Sequence, residues 1–328
     1  MRFLALADTH LGFKAGRTAE VRRITFNAMF DAFENVLKIA RQEKIDGILH
    51  GGDLFDRGNP PRIVISRTYD LISKFLNNDI SFFVVPGNHD RAKLPVSLLP
   101  FFNENVYFFQ SFSGKRIGDI NFFGFPYESK NPKEILGKIR KLVEKLGNVS
   151  AIILCHQLFR NATFGPHQFC FKSGKDILHS SILPPQVQFV LTGHIHRAQS
   201  LQHGKVFYPG SVERTSFVEV IEPKGCLIIK IEPDFRSVEF RELPSNPMKV
   251  IEFDISRSTL DYPSLVDKVP LTFGRTLLRF TGRPLKSEEL SQLYKTFLSK
   301  DYPWLQFIPT QTQRVLNPLY TQKIPFNF

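Results

Sequence analysis

The chain has 328 residues, of which 42% are hydrophobic and 23% charged. This length and composition predict about two globular domains and exclude a disordered chain or a disulfide-rich mini-protein. Its 43 basic and 31 acidic residues give a formal net charge of +12, which favours a polyanionic partner such as nucleic acid over a neutral or acidic one.

Short apolar runs alternate with longer helical stretches over the first two-thirds of the chain, a pattern typical of an α/β fold around a buried sheet. Helical periodicity predicts a helix over residues 18–43, and Asn131 followed by Pro132 predicts a second helix that continues to about residue 146. Runs rich in Ile, Val and Phe predict strands at residues 3–7, 47–50, 81–85, 120–125, 151–155, 189–192, 206–208 and 227–231.

A turn-rich segment at residues 243–249 predicts a domain boundary, because it carries Pro244 and Pro247 after the last long strand pair. We expect a first domain over residues 1–243, a smaller α+β domain over 247–310, and a C-terminal tail over 311–328. Strand-like runs at 250–255 and 276–280 and a helix at 287–299 are assigned to the smaller domain.

The three cysteines, Cys155, Cys170 and Cys226, have no paired spacing, so neither a disulfide framework nor a thiolate zinc site is expected. The N-terminal apolar run at residues 3–7 is too short for a secretory signal, and no stretch of about 18 apolar residues occurs. We therefore expect a soluble, cytoplasmic protein that does not engage a membrane.

Polar side chains follow five of the predicted strands directly, at the carboxyl ends where α/β folds place their sites. Apart from His89, these side chains are carboxylates, imidazoles and one carboxamide, and none is a thiolate. Such a set of ligand atoms suits manganese, iron or zinc. A single cluster would be a weak signal, because histidine and aspartate often cap turns; seven positions favour a metal site able to activate water and clamp a phosphate. The seven are Asp8, His10, Asp53, Asn88, His156, His194 and His196.

The order of these motifs resembles the calcineurin-type metallophosphoesterases. The chain carries D-x-H at residues 8–10, G-D at 52–53, G-N-H-D at 87–90, a lone histidine at 156 and G-H-x-H at 193–196. Within that superfamily, the run Y-P-G-S-V-E-R at 208–214 resembles the SbcD or Mre-type DNA repair nucleases. The resemblance covers about residues 1–235 and implies a four-layer α/β/β/α sandwich, with the small domain capping the site.

The resemblance also implies roles for individual residues. One divalent metal ion would be held by Asp8, His10 and His196, and a second by Asn88, His156 and His194, while Asp53 would bridge the pair. Manganese is the expected metal, with iron, zinc or magnesium as alternatives.

Two further residues are assigned to catalysis. His89, which adjoins a ligand, would protonate the departing oxygen as general acid, although it could also only hydrogen-bond a ligand. Asp56 stands where some members of the nuclease family place a second catalytic histidine.

Four residues near the motifs are candidates for binding the substrate phosphate: Arg57, Arg17, Ser211 and Arg214. The run G-D-L-F-D-R-G at 52–58 also resembles the phosphoprotein phosphatases, in which the arginine grips the phosphate. A phosphomonoesterase or cyclic-nucleotide phosphodiesterase therefore stays open as an alternative. Asp56 with Arg57 could equally form a local ion pair, and Ser211 with Arg214 could only stabilise a turn.

As a whole, the resemblance implies a manganese-dependent DNA repair nuclease with 3′-to-5′ exonuclease and single-strand endonuclease activity. It also implies a homodimer that works with an SbcC-type ATPase, associated with the nucleoid during repair. In the family, helices that follow the small domain often dock on the ATPase. A non-catalytic DNA-end-binding scaffold is least favoured, since every ligand position is filled.

The predicted helix at residues 62–76 offers a candidate dimer face. Its apolar residues are Ile63, Ile65, Leu71 and Phe75. A face buried within the same chain explains the pattern equally well.

Overall fold

The computed structural model describes residues 1–75, 80–91, 94–95, 105–146, 150–232, 235–256, 260–269, 274–297 and 305–308. Within these ranges the helices are α1 (Ala19–Gln42), α2 (Arg62–Phe75), α3 (Pro132–Leu146), α4 (Tyr262–Lys268) and α5 (Ser287–Phe297). The strands are β1 (Arg2–Leu6), β2 (Gly47–His50), β3 (Ser81–Val84), β4 (Val106–Phe108), β5 (Ser113–Ile117), β6 (Ile120–Gly124), β7 (Ser150–Cys155), β8 (Leu158–Phe159), β9 (Thr163–Phe164), β10 (Phe169–Cys170), β11 (Ile177–Leu178), β12 (Val187–Thr192), β13 (Gln199–Leu201), β14 (Val206–Tyr208), β15 (Gly225–Glu232), β16 (Phe235–Glu242), β17 (Met248–Asp254), β18 (Arg275–Thr281) and β19 (Leu305–Ile308).

Two six-stranded sheets form the body of the molecule. The first has the order β16-β15-β1-β2-β3-β4, in which β1 to β4 run parallel. The second has the order β13-β14-β12-β7-β6-β5, with a parallel centre and antiparallel edge strands. A row of aromatic and aliphatic side chains fills the space between the two sheets, and the rings of Phe83 and Phe122 stack there with centroids 4.4 Å apart.

Helices cover the outer face of each sheet. Apolar residues of α1 and α2 form one core with the outward side chains of β1, β2 and β3. Apolar residues of α3 form a second core with β7 and β12. The four-layer α/β/β/α prediction is therefore confirmed.

The first helix shows how local sequence sets an element's bounds. The side chain of Thr18 accepts a hydrogen bond from the Val21 amide, so Thr18 is the N-cap and the helix begins one residue later than predicted. Its buried residues recur every three or four positions, as in Met29, Phe33, Val36 and Ala40, and these side chains belong to the core that the helix shares with the sheet.

The second helix packs mainly within its own chain. Phe75 is buried in the core beneath α2, and Ile65 and Leu71 pack partly against that core. Ile63 lies on the solvent side with 66% of its surface exposed. The intramolecular interpretation thus accounts for three of the four apolar residues, and the homodimer stays a prediction. Residue 76, the predicted end of this helix, lies outside the described residues.

A third, parallel sheet of β17, β18 and β19 belongs to the C-terminal part of the chain. With α4 and α5 it encloses an apolar cluster of its own, which includes Leu278 and Phe280. Arg275 of β18 donates a hydrogen bond to the Thr215 carbonyl in the first part of the chain, 3.2 Å away. The limits 1–243 and 247–310 stay predictions, and the predicted tail 311–328 lies outside the described residues.

Among the helices that the structure describes, none combines the length and apolar character needed to cross a membrane.

We expect the three cysteines to react with thiol reagents at different rates. Burial raises the pKa of Cys155 and of Cys226 to about 12, so at pH 8 only about one molecule in 10⁴ carries either thiolate. Cys170 is only half-buried. Ellman's reagent should label one thiol rapidly in the native protein and three in guanidinium chloride. Cys170→Ser should abolish the rapid phase, and rapid labelling of two or three native thiols would contradict this assignment.

Candidate metal centre

The predicted ligands lie on loops that leave the carboxyl ends of strands in both sheets. Several backbone hydrogen bonds join the loops after β1 and β2, among them those from the Asp8 amide to the Gly52 carbonyl (2.9 Å) and from the His10 amide to the Asp53 carbonyl (3.1 Å). The loop after β12 joins them because the Gly193 amide donates to the Gly51 carbonyl (3.0 Å). The fold therefore gathers loops from both sheets at one edge.

Four predicted ligands have backbone angles in the left-handed region: φ is 51° at Asp8, 43° at His10, 53° at Asp53 and 81° at His194. Non-glycine residues there cost about 1–3 kcal/mol each and persist where surrounding contacts hold them. Those contacts are present, since Asp8 Oδ1 accepts a hydrogen bond from the His194 amide and Asp53 Oδ1 accepts one from the His89 amide. Strain is thus concentrated at this site.

Glycine is required where the loops approach most closely. A Cβ at Gly87 would lie 2.1 Å from Asp53 Oδ1, and a Cβ at Gly52 would lie 2.3 Å from His156 Nδ1. Any side chain at either position would displace a predicted ligand.

One group of donor atoms consists of Asp8, His10 and His196, whose ligand atoms all lie within 4.8 Å of one another. The Nε2 atoms of the two histidines are only 3.1 Å apart. Asp8 Oδ2 is buried and has no hydrogen-bond partner among the described residues. A buried carboxylate oxygen without a hydrogen-bond partner costs free energy. Beside two facing imidazole nitrogens, this oxygen therefore favours the binding of a cation.

The second group consists of Asn88, His156 and His194. Asn88 Oδ1 lies 3.0 Å from His156 Nε2 and 2.8 Å from His194 Nδ1. Asp53 lies between the two groups, with its Oδ2 3.3 Å from His156 Nε2 and 3.9 Å from His10 Nε2. This is the location that a bridging carboxylate needs.

Burial and neighbouring charges shift the pKa values of the donors in different directions. Burial lowers the pKa of His10 and of His194 to about 3, so both imidazoles are neutral near pH 7. Burial alone would raise the pKa of Asp53, but the neighbouring histidines outweigh it and hold the value far below the usual range. Burial would likewise lower the pKa of His156, but Asp53 raises it to about 9. A bound cation would take the place of that proton.

A model of the calcineurin-like phosphoesterases matches residues 1–198, the stretch that holds all seven predicted ligands. The chain belongs to the calcineurin-like phosphoesterase family.

Relatives of this chain include proteins named DNA double-strand break repair protein Mre11. The protein from Methanosarcina mazei is 30% identical over 255 residues, which are 75% of this chain and 38% of the relative. The protein from Sulfolobus acidocaldarius is 24% identical over 286 residues, 82% of this chain and 70% of the relative. The chain thus spans less than half the length of the Methanosarcina relatives it matches.

A solved structure shows the same fold. A dimetal phosphatase from Danio rerio superposes with a TM-score of 0.51 at 13% identity, covering 74% of this chain and 96% of the phosphatase. At that identity the likeness extends to the fold alone.

His89, the predicted general acid, lies at the exposed edge of the phosphoesterase site. Its ring meets that of His10 edge-on, with centroids 4.7 Å apart. Its Nδ1 lies 3.0 Å from the Asp56 carbonyl, which can only accept a hydrogen bond. Nδ1 therefore carries a proton. The half-buried Asp56 carboxylate lies 3.9 Å from His10 Nδ1, so Asp56 contacts both histidines.

The four predicted phosphate-binding residues are placed differently from one another. Arg57 is exposed beside Asp56. Arg17 donates to the Phe297 carbonyl at the end of α5 (3.5 Å). The Ser211 hydroxyl is buried within hydrogen-bonding distance of the Glu213 carbonyl (2.9 Å) and of Glu219 Oε2 (3.2 Å). Substrate contact by these residues stays a prediction.

Arg214 makes an extensive set of contacts within the protein. Its guanidinium donates to the carbonyls of Glu219, Glu222 and Asn246 and to the Ser245 hydroxyl. These bonds tie the turn after β14 to the segment that leads into β17, in keeping with the turn-stabilising alternative.

Asp90 organises the site, although its motif suggested no role. Its buried carboxylate accepts hydrogen bonds from the amides of Gly87 (2.9 Å), Leu54 (3.1 Å) and Phe55 (2.9 Å). It thereby joins the loop after β3 to the loop after β2. Burial raises the pKa of Asp90 to about 7.

His50 also supports the site, although the sequence analysis assigned it no role. It is completely buried. Its Nδ1 accepts a hydrogen bond from the Gly52 amide (3.2 Å), and its Nε2 lies 3.1 Å from the Thr9 hydroxyl, which donates to the Leu54 carbonyl. The sequence did carry a signal for this role of His50, because a polar residue ends an otherwise apolar strand directly before G-G-D.

Proposed function

We propose that this chain is a manganese-dependent DNA repair nuclease that cleaves phosphodiester bonds with 3′-to-5′ exonuclease and single-strand endonuclease activity. The observation that carries the proposal is the pair of donor groups that share Asp53 and have His89 at their exposed edge. The names of the repair-protein relatives support DNA as the substrate.

In this proposal Asp8, His10 and His196 hold one divalent ion, Asn88, His156 and His194 hold the other, and Asp53 contacts both. When bound, such a pair supplies electrophilic stabilisation of a phosphoryl group and activates water.

His89 supplies a proton to the departing oxygen. Because its Nδ1 donates to the Asp56 carbonyl, its Nε2 is the atom left to face substrate, and the cationic imidazole, protonated on both nitrogens, gives its Nε2 proton to the departing oxygen and becomes neutral.

Charge favours a polyanion over a small ester. Beyond the net charge of +12, the exposed side chains of Lys14, Arg57 and Arg91 follow the three motif loops of the first sheet. Such cations position a nucleic-acid backbone without reading its sequence.

We further propose a homodimer that works with an SbcC-type ATPase on DNA ends inside the cell.

The test is degradation of 3′-labelled and 5′-labelled duplex and single-stranded DNA with and without manganese. Manganese-dependent cleavage that releases the 3′ label first is the expected result. A small phosphomonoester and a cyclic nucleotide are assayed in parallel, because exposed Arg57 beside Asp56 also fits a phosphatase. If either small substrate is hydrolysed while DNA stays intact, the nuclease proposal is wrong, and the phosphomonoesterase or cyclic-nucleotide phosphodiesterase takes its place.

We expect the effect of His89→Ala on the rate of hydrolysis to depend on the leaving group of the substrate. DNA cleavage should fall by about 10²- to 10⁴-fold, the range attributed to general acid–base catalysis, because an alkoxide needs protonation. Hydrolysis of bis-p-nitrophenyl phosphate should fall far less, since p-nitrophenolate departs without a proton. His167→Ala, at an exposed histidine away from the motifs, is the matched control. An equal loss on both substrates would contradict the general-acid role.

A further inference from the structure

A buried carboxylate lies beneath His196, outside the seven predicted ligands. Glu219 ends a single turn of 3-10 helix (Phe217–Glu219) and is 2% exposed. Its Oε1 lies 3.2 Å from His196 Nδ1. The same oxygen accepts hydrogen bonds from the Thr215 hydroxyl (2.7 Å) and the Ser216 amide (3.1 Å). The carboxylate is thus fixed in its orientation toward the imidazole.

Lys224 holds the carboxylate from the other side. Its completely buried ammonium donates to Glu219 Oε2 (2.7 Å) and to the His196 carbonyl (3.0 Å). A second carboxylate, Glu222, lies 3.5 Å from the same ammonium and 3.0 Å from Arg197 Nε. Two acids and two bases therefore balance in charge, so the Glu219 carboxylate can stay ionised although it is buried.

The hydrogen bond sets the tautomer of His196. A carboxylate accepts, so Nδ1 carries the proton and Nε2 keeps its lone pair. That Nε2 is the atom 3.1 Å from His10 Nε2 in the group with Asp8. His156 differs, because its Nδ1 lies against the neutral Gly51 carbonyl at 2.8 Å.

We propose that Glu219 is a positioning residue that orients His196 and increases its basicity toward the cation held with Asp8 and His10. The inference rests on the proposed ligand role of His196 and leaves the group of Asn88, His156 and His194 unaffected. Carboxylates that hydrogen-bond a ligating histidine commonly contribute about 10- to 100-fold in metal affinity.

The experiment titrates metal-free protein with Mn²⁺ and measures free Mn²⁺ by its electron paramagnetic resonance signal. Wild-type protein should bind two ions. Glu219→Gln should weaken one of them by about 10- to 100-fold and leave the other unchanged. Glu222→Gln is the matched control, since it removes the same charge from the same ammonium without touching His196. It should leave both affinities unchanged.

Two measurements separate positioning from general destabilisation. Thermal unfolding in EDTA reports whether the two variants lose similar stability. Long-range ¹H–¹⁵N spectra of the metal-free protein report the His196 tautomer, which should be protonated at Nδ1 in wild type and become mixed in Glu219→Gln. If that variant does not fold, Glu219→Asp keeps the charge but withdraws it from Nδ1, and should weaken the same single ion.

The proposal is overturned if Glu219→Gln and Glu222→Gln lose affinity equally, if both ions weaken together, or if wild-type His196 is protonated at Nε2. Wild-type protein that binds fewer than two ions would remove the basis of both proposals. If wild-type protein leaves DNA intact but Glu219→Gln selectively weakens the binding of one ion, the nuclease proposal is overturned and the role of Glu219 is retained.

Discussion

Asp53→Asn is expected to reduce manganese-dependent DNA cleavage by about 10³-fold or more, since removal of even one preorganised electrostatic group typically costs about 10²- to 10³-fold. The substitution keeps the shape of the side chain and removes its charge. That charge lies 3.3 Å from His156 Nε2 and 3.9 Å from His10 Nε2, so both donor groups lose their shared anion.

The control for this prediction is Asp119→Asn, which removes an equal charge from a fully exposed side chain remote from the ligand loops. Its cleavage rate should match wild type. Circular dichroism should show that both variants fold. An Asp53→Asn protein that keeps cleavage within tenfold of wild type would show that the two groups do not depend on a shared carboxylate.

Asp90→Ala is expected to lower the free energy of unfolding by about 3 kcal/mol or more, because it leaves three buried amides without an acceptor and each costs about 1–3 kcal/mol. Asp90→Asn should have an intermediate effect, since its amide keeps one acceptor oxygen. Urea unfolding of metal-free protein measures both.

Asp70→Ala, at an exposed position of α2, is the comparison for Asp90→Ala and should change stability by no more than about 0.5 kcal/mol. If Asp90→Ala unfolds at the same urea concentration as wild type, the amides of Gly87, Leu54 and Phe55 must find water as a partner.

The sequence predicted the location of the donor groups because each ligand follows a strand and a tight turn within a few residues. A parallel sheet brings such strand ends together, and Gly52 and Gly87 are the small residues typical of tight turns at those ends. Periodicity alone supported only an α/β class, and the four-layer arrangement followed from the resemblance. The roles of the seven ligands stay predictions.

The supporting contacts could not be predicted, because they join residues that are distant in sequence. His50 meets Thr9, and Asp90 meets Leu54, only after β1, β2 and β3 have paired. Glu219 lies 23 residues after His196 in the sequence, and its contact with His196 depends on the turn after β14. The exposed edge strand β5, with sequence S-G-K-R-I, lacks the apolar alternation that identifies a strand.

Each donor group draws on both sheets. Asp8 and His10 follow β1 in the first sheet, and their companion His196 follows β12 in the second; Asn88 belongs to the first sheet, and His156 and His194 to the second. The two layers meet through close-packed aromatic rings, which permit little sliding. The spacing between the layers therefore sets the distances between the donor atoms of each group. Core substitutions between the sheets, such as Phe83→Leu, would therefore change those distances although the substituted ring touches none of the predicted ligands in the inter-sheet core.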